Sequence, residues 1–247
     1  MQSKTFDEFW QFFLQVTFHE GNPERWSKRE LKAKWFESCL NLSPGEWIVD
    51  LGCGDGILDI WLSRMGYKVT AIDRSQPVLT HAKTEDDTQA VNFEAKDLRH
   101  VNFPEQSLNG IIIHETLGLM NQEDDLDLLM RSFSWLKPGG RIVTDCPVKP
   151  SIKNNWSKEF PDGRIDAFTS FDEKTRIHQL NFEFSPKDGE PFNLYDPYCP
   201  KRHDGAGISR YIYTQPELVG MMQKAGFSVK SINHFYGESY FALIGQK

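Results

Sequence analysis

Cysteine is scarce in this chain, and its four residues, Cys39, Cys53, Cys146 and Cys199, form no CxxC pair. That spacing excludes the usual structural zinc sites and the dense framework of a disulfide-stapled domain. No metal is expected, and free thiols suit a reducing, cytoplasmic compartment. No run approaches the ~20 apolar residues of a membrane span. The first residues, MQSKTFDEFW, carry acids and no long apolar stretch, so they do not read as a secretory leader. A basic excess is missing as well: 28 Lys and Arg against 35 Asp and Glu leave a formal net charge of -7. Duplex-binding proteins cluster positive charge to neutralise phosphates, so no nucleic-acid partner is expected. The densest basic stretch, Arg25 to Lys34, also holds Glu30 and reads as a solvated helix face. The sequence leaves the oligomeric state open.

What is present is enough apolar material for one sizeable core: 39% of 247 residues are hydrophobic and 13% are aromatic. Phe6, Phe9, Trp10 and Phe13 fall at helical spacing, with Phe12 and Val16 beside them, until Gly21-Asn-Pro breaks the pattern. A second helix is expected over 27–40, with Ser27 as N-cap and Glu30 three residues later. From Trp47 onward, short apolar runs alternate with helical stretches. Strands are expected at 47–51, 68–72, 92–96, 111–113 and 141–144, and helices at 57–65, 77–83 and 124–136. Continuously apolar strands alternating with helices predict an α/β fold whose parallel sheet is covered on both faces. Between Pro147 and Arg210 the pattern changes to one rich in Pro, Asp, Lys and aromatics, with one hairpin around 175–184. A helix at 215–224 and strands at 227–230 and 240–244 close the chain. The expected layout is one domain over 1–247: a helical cap (1–44), a core (45–146), an insertion packed over the sheet's ligand edge (147–210) and a closing segment (211–247).

Chemistry concentrates after the first core strand. Asp50 sits near its end, and Gly52, Gly54 and Gly56 follow in Val49-Asp-Leu-Gly-Cys-Gly-Asp-Gly. Glycines there let the backbone turn sharply into a helix and let a ligand approach without side-chain clashes. Asp73 lies 73 − 50 = 23 residues after Asp50, at the end of the next strand. A carboxylate so placed can accept both hydroxyl protons of a ribose. Asp97 is expected to end the third strand, and the apolar Leu98 follows it. That pair can take an adenine amino group and pack the ring. Each acid alone could be a turn residue, but three ending three successive strands is a pattern.

The segment 50–56 resembles the first motif of class I, Rossmann-like S-adenosylmethionine-dependent methyltransferases. Asp73 matches that family's ribose-binding acid, and Asp97-Leu98 its adenine-binding pair. Leu136-Lys-Pro-Gly-Gly resembles the turn before its fifth strand, and Ala225-Gly-Phe the turn before its sixth. The resemblance is strong over 45–146 and moderate over 211–247. It implies a doubly wound, seven-stranded, mostly parallel sheet with an antiparallel last strand, an N-terminal helical lid and an insertion after the fifth strand. It implies S-adenosyl-L-methionine as cofactor, held by Asp50, Gly52, Cys53, Gly54, Asp73, Arg74, Asp97 and Leu98. His114, just after the fourth strand, would sit near the transferred methyl group.

A methyl-transfer site needs a lid against water and a group to take a proton from a protonated acceptor. The aromatic N-terminal segment is the lid candidate, with Trp10 on the substrate side and Trp26 reaching the cofactor carboxylate. An aromatic wall would suit a cationic amine. His114 is the first choice of base, because its near-neutral pKa suits proton transfer, and Glu115 beside it is the second. In the insertion and just beyond, His178, Tyr195, Tyr198, His203, Arg210, Tyr211 and Tyr213 are pocket candidates. Tyr195, Tyr211 and Tyr213 are preferred, the last two because alternation puts them on one strand face. The expected function is methylation of nitrogen or oxygen on a small molecule, nitrogen favoured. A nicotinamide-dependent oxidoreductase shares the glycine turn and Asp73 but leaves Asp97-Leu98 and Lys-Pro-Gly-Gly unexplained. A non-catalytic adenosyl-binding protein is the third reading.

Overall fold

A computed structural model describes residues 3–4, 23–148, 155–160, 163–194, 208–235 and 237–247. The chain divides into two compact units. One holds 21–117, 122–148 and 213–247; the other holds the described parts of 1–20, 118–121 and 149–212. In chain order the elements are β1 (Ser3–Lys4), α1 (Pro23–Leu40), β2 (Trp47–Leu51), α2 (Ile57–Arg64), β3 (Lys68–Asp73), α3 (Gln76–Glu85), β4 (Asn92–Ala95), β5 (Leu108–Ile113), α4 (Gln122–Trp135) and β6 (Leu136–Pro147). They continue with β7 (Trp156–Phe160), β8 (Gly163–Asp172), β9 (Ile177–Pro186), β10 (Phe192–Leu194), β11 (Ile208–Tyr211), α5 (Gln215–Lys224), β12 (Ser228–Ile232) and β13 (Tyr240–Gln246).

The first unit is built on a seven-stranded sheet ordered β12-β13-β6-β5-β2-β3-β4. Strands β2 to β6 pair in parallel, and β13 runs antiparallel to both β6 and β12. This is the doubly wound sheet expected from the sequence. Ile48, Ile72, Leu108, Ile111, Ile112 and Ile113 are buried, as strands covered on both faces must be. The strand order reverses between β2 and β5. At such a switch point the connections leave the carboxyl edge in opposite directions and open a crevice where ligands bind.

Helix α1 starts four residues earlier than expected. Pro23 occupies its first turn, where the missing N–H costs nothing, so Ser27 lies inside the helix and is not its N-cap. The basic stretch is not a uniformly solvated face either. Lys32, Ala33 and Phe36 are buried, while Leu31 is exposed. Strand β4 stops at Ala95, so Asp97 lies two residues beyond it. The Thr214 side chain and Glu217 cap α5 reciprocally.

The second unit carries its own sheet, ordered β1-β10-β9-β8-β7, with β11 also pairing with β9. The expected hairpin is present but longer. Its ten-residue arms, β8 and β9, pair from Gly163↔Pro186 to Asp172↔Ile177. Asp172 shapes the turn by accepting from the N–H of Lys174 at 2.8 Å. Residues read as an insertion within one domain thus fall, with 118–121, in a compact unit of their own.

Tyr211 and Tyr213 do not share a strand face. β11 ends at Tyr211, whose N–H donates to the Gly118 carbonyl at 2.9 Å within the second unit. Tyr213 belongs to the first unit. It is 1% exposed, and its hydroxyl donates to Asp125 Oδ2 at 2.8 Å. Tyr213→Phe removes that buried bond and is expected to cost about 1–3 kcal/mol. Urea unfolding of the variant checks this, and unchanged stability would contradict it.

Candidate active site at the switch point

The glycine turn leaves β2 and enters α2. Gly52, Gly54 and Gly56 have φ of 95°, 55° and 68°, the left-handed region that favours glycine. Their surroundings differ. A Cβ on Gly52 would lie 2.3 Å from Thr116 Oγ1, and one on Gly56 would lie 2.5 Å from the Phe93 ring, whereas a Cβ on Gly54 would meet nothing within 4 Å. The outer glycines permit close packing, and the middle one borders open space.

Acids surround this turn. Asp73 Oδ2 accepts from the Gly54 N–H at 3.1 Å, and Oδ1 from the Ser75 N–H at 2.9 Å. These bonds tie the end of β3 to the turn. Asp50 is buried, and its Oδ1 has no hydrogen-bond partner. Burial, reinforced by the nearby Asp73 charge, pushes its carboxyl up to about 8. Asp59, in the first turn of α2, is fully buried with both oxygens unpartnered. Burial and the Asp50 and Asp55 charges raise it well above the carboxylate range. Asp55 Oδ1 accepts from the Ile57 N–H at 3.1 Å, and Oδ2 from Arg29 of α1 at 3.2 Å. Burial also raises the Cys53 thiol, which leaves it protonated and unreactive. Asp97 is bound bidentately by Arg99, which holds its carboxyl below the usual range. Leu98 beside it is buried.

Across the switch point, a buried polar array follows β5. His114 places Nδ1 2.7 Å from Asp145 Oδ2 and Nε2 2.8 Å from Lys32 Nζ. Asp145, on β6, also receives His234 Nε2 at 2.7 Å and the Glu115 N–H at 2.8 Å. Burial alone would raise the Asp145 carboxyl. The positive charge of His114 when protonated, with bonds from His114, His234 and the Glu115 N–H, outweighs burial and holds it far below the carboxylate range. Glu115 reaches that bond with φ 53°, a conformation a non-glycine residue adopts at a cost. His234 is stacked on Tyr240 at 4.9 Å, with Trp35 edge-on at 5.2 Å. The Phe36 ring meets His114 edge-on at 5.5 Å.

Known proteins share this framework. The family profile described as a methyltransferase domain matches residues 48–140, from β2 into β6. YqeM of Bacillus subtilis (strain 168), named as a methyltransferase, is 28% identical over 213 residues, which are 81% of this chain and 79% of that protein. This chain is an S-adenosylmethionine-dependent methyltransferase. Phosphoethanolamine N-methyltransferase 1 of Zea mays is 31% identical over 125 residues, 48% of this methyltransferase but only 25% of that longer protein. An S-adenosylmethionine-dependent methyltransferase from Clostridium acetobutylicum superposes with a TM-score of 0.67 at 15% identity, over 98% of both chains. That likeness is one of fold. The oxidoreductase reading falls with these matches.

The methyltransferase's own residues fit its cofactor. Open space at Gly54 admits a ligand against backbone, and the unpartnered Asp50 Oδ1 awaits a donor or cation. Of the residues singled out in the sequence, the fold gathers Asp50, Gly52, Cys53, Gly54 and Asp73 around one turn, with Arg74 next in the chain. His114 and Glu115 follow the neighbouring strand. Trp10, Tyr195, Tyr198 and His203 lie outside the described residues, as does the Trp26 side chain. His178, Arg210 and Tyr211 lie in the second unit. Four residues were missed: Arg29, Lys32, Asp145 and His234. Only Asp145 left a readable signal, since it follows the apolar run expected as a strand over 141–144, next to the strand that ends before His114. Lys32 was hidden by its basic neighbours.

Replacing Asp145 with Asn removes the anion between His114 and His234. Breaking a buried pair in this way is expected to cost about 3–5 kcal/mol at pH 7. Because the folded carboxyl is depressed, its stabilisation is complete above the unfolded value of about 3.9 and is lost as pH falls toward the folded one. The gap between wild type and Asp145→Asn in chemical denaturation should therefore narrow below about pH 4. A gap constant from pH 7 to pH 3 would contradict this account.

Proposed function

We propose that this protein methylates a nitrogen of a small-molecule amine, with oxygen acceptors as the lesser alternative. The observation that carries this reading is the buried Lys32–His114–Asp145–His234 array beside the glycine turn. An acceptor that arrives with a proton needs a place to leave it, and the array supplies two bases and a counter-charge within hydrogen-bond reach. The preference for nitrogen draws on the acidic balance of the chain and on the partial similarity to phosphoethanolamine N-methyltransferases. No nucleic-acid or membrane partner is invoked, and no described helix is long and apolar enough to cross a membrane.

In this reading the cofactor brings a methyl group made electrophilic by its positive sulfur. Asp73 holds the ribose hydroxyls with lone pairs left over from its backbone bonds, and Arg74 flanks it. Asp97 takes the adenine amino group while Leu98 packs the ring. Gly52, Cys53 and Gly54 line the methionine part, and Asp50 answers its ammonium. Arg29 of α1 and Trp26 are the candidates for its carboxylate. Glu115 sets the end of β5 through its backbone bond to Asp145. Trp10, Tyr195 and Tyr211 remain acceptor-side candidates from sequence, while Tyr213, whose hydroxyl is committed to Asp125, is set aside.

Thermal melting with S-adenosylmethionine, S-adenosylhomocysteine and NAD in separate wells tests the cofactor half, since a ligand of the folded state raises the midpoint. Both adenosyl compounds should shift it, and NAD should not. Asp73→Ala is expected to weaken S-adenosylhomocysteine binding by about 1–3 kcal/mol in titration calorimetry. Unchanged affinity would remove Asp73 from the ribose.

Asp50→Asn should act in two directions. The Asp50 carboxyl is raised to about 8 in the fold, so at pH 7 ionisation of the unfolded chain works against folding. The variant should melt higher than wild type without ligand, yet bind S-adenosylmethionine more weakly. Equal melting temperatures at pH 7 would show that Asp50 carries no such burden. Transfer of a radiolabelled methyl group to a panel of primary amines, phosphorylated amino-alcohols and phenols then tests the acceptor. Transfer confined to phenols would overturn the choice of nitrogen.

A further inference from the structure

We propose that Arg99 is a positioning residue for the adenine of the cofactor: it fixes the Asp97 carboxylate so that one lone pair meets the amino group, and it thereby sets the preference for adenine over other purines. This rests on the adenine role proposed above for Asp97. Arg99 folds its side chain back over that acid. Asp97 Oδ1 accepts from the Arg99 N–H at 2.9 Å and from its Nε at 3.0 Å. Oδ2 accepts from the same Nε at 3.1 Å and from Nη2. A carboxylate has about four lone-pair sites. Three Arg99 hydrogens make all four of these contacts, because the one on Nε is shared. One acceptor site is left for the hydrogen of an amino group.

The guanidinium is not needed to hold the turn. An aspartate that accepts from the N–H two residues on already shapes the backbone there. The turn is fastened besides. The Lys96 N–H donates to the Asp73 carbonyl at 3.0 Å, and the His100 N–H to the Asp97 carbonyl at 2.9 Å. From α4, Arg131 Nη2 donates to the Leu98 carbonyl at 3.0 Å and Nη1 to that of Val101. What stays loose without the fork is the Asp97 side chain, which is 28% exposed and otherwise able to change rotamer. The planar guanidinium removes that freedom.

Place and charge suit the role. Strands β3 and β4 pair in parallel, with Asp73 opposite Ala95. Asp97 therefore follows β4 at the same sheet edge as Asp73, the acid proposed for the ribose. Ribose and adenine are joined by a single bond, so acids that read them belong on neighbouring strands. The Arg99 bonds also hold the Asp97 carboxyl below its usual range, so the acceptor is an anion near neutral pH. An anion attracts an N–H and repels a carbonyl oxygen. Adenine carries an amino group at its six position, and hypoxanthine carries a carbonyl there.

The probes are S-adenosylhomocysteine and its deaminated counterpart, S-inosylhomocysteine, titrated calorimetrically into wild type and variants. Wild type should bind the adenosyl compound at least about tenfold more tightly, the size expected for a hydrogen bond to a charged group. In Arg99→Ala that preference should shrink roughly fivefold, through weaker binding of the adenosyl compound alone. Arg99→Lys keeps the charge but not the fork and should not restore it. Melting curves check that each variant is folded. Equal weakening of both ligands in Arg99→Ala would reduce Arg99 to a structural part and overturn the proposal. So would a preference that grows in Arg99→Ala, the mark of a guanidinium that competes with adenine for the carboxylate, or one fully restored by Arg99→Lys. Asp97→Ala separates the underlying reading. A wild type without preference, or a preference that survives in Asp97→Ala, removes Asp97 from the adenine and the Arg99 role with it. A preference lost in Asp97→Ala but kept in Arg99→Ala leaves Asp97 in place and overturns the Arg99 role alone.

Discussion

Asp145 is a carboxylate with no exposed side-chain surface, and an ion removed from water must be compensated where it sits. Three donors converge on it: His114, His234 and the Glu115 N–H. That demand explains several otherwise separate features. The backbone at Glu115 turns left-handed to deliver its N–H, and the His234 ring is held between Tyr240 and Trp35. Lys32 closes the chain of bonds from α1. Sheet strands β5 and β6, helix α1 and the residues after β12 are thus locked to one carboxylate. The array orders the carboxyl edge.

On the other side of the switch point, the opposite situation holds. Asp50 and Asp59 are buried with unpartnered oxygens, and burial raises both carboxyls above the usual range. Unsatisfied buried acids reduce the stability of the fold. The Asp145 carboxylate is satisfied by its three donors, whereas Asp50 and Asp59 have oxygens without partners.

Much of the glycine turn and of the acids around it was legible in the sequence, because local backbone constraints write them there. Positive φ values demand Gly52, Gly54 and Gly56, and a strand-ending acid reads as Asp73 whatever the rest of the chain does. Asp97 was legible as an acid but not as a partner of Arg99, since that pair forms in the turn after β4. The boundary of α1 was missed because Pro23 reads as a breaker, although a helix tolerates it in the first turn. The long arms of β8 and β9 were reduced to a short hairpin, since half-exposed strands show weak periodicity. Tyr211 and Tyr213 alternate in sequence, but alternation means a shared face only while the strand continues, and β11 ends between them.

The sequence by itself determined the alternation of elements, the parallel sheet, the glycine turn and the acids that follow successive strands. Each is encoded over a few residues by dihedral preference or apolar periodicity. Only the tertiary structure decided which polar groups meet. Lys32, His114, Asp145 and His234 are separated by as many as 89 residues for a single bond, and nothing local distinguishes a buried lysine on α1 from the solvated ones beside it. Their meeting depends on strand order at the switch point and on how α1 packs against the sheet. Long-range packing, not composition, brings these residues together.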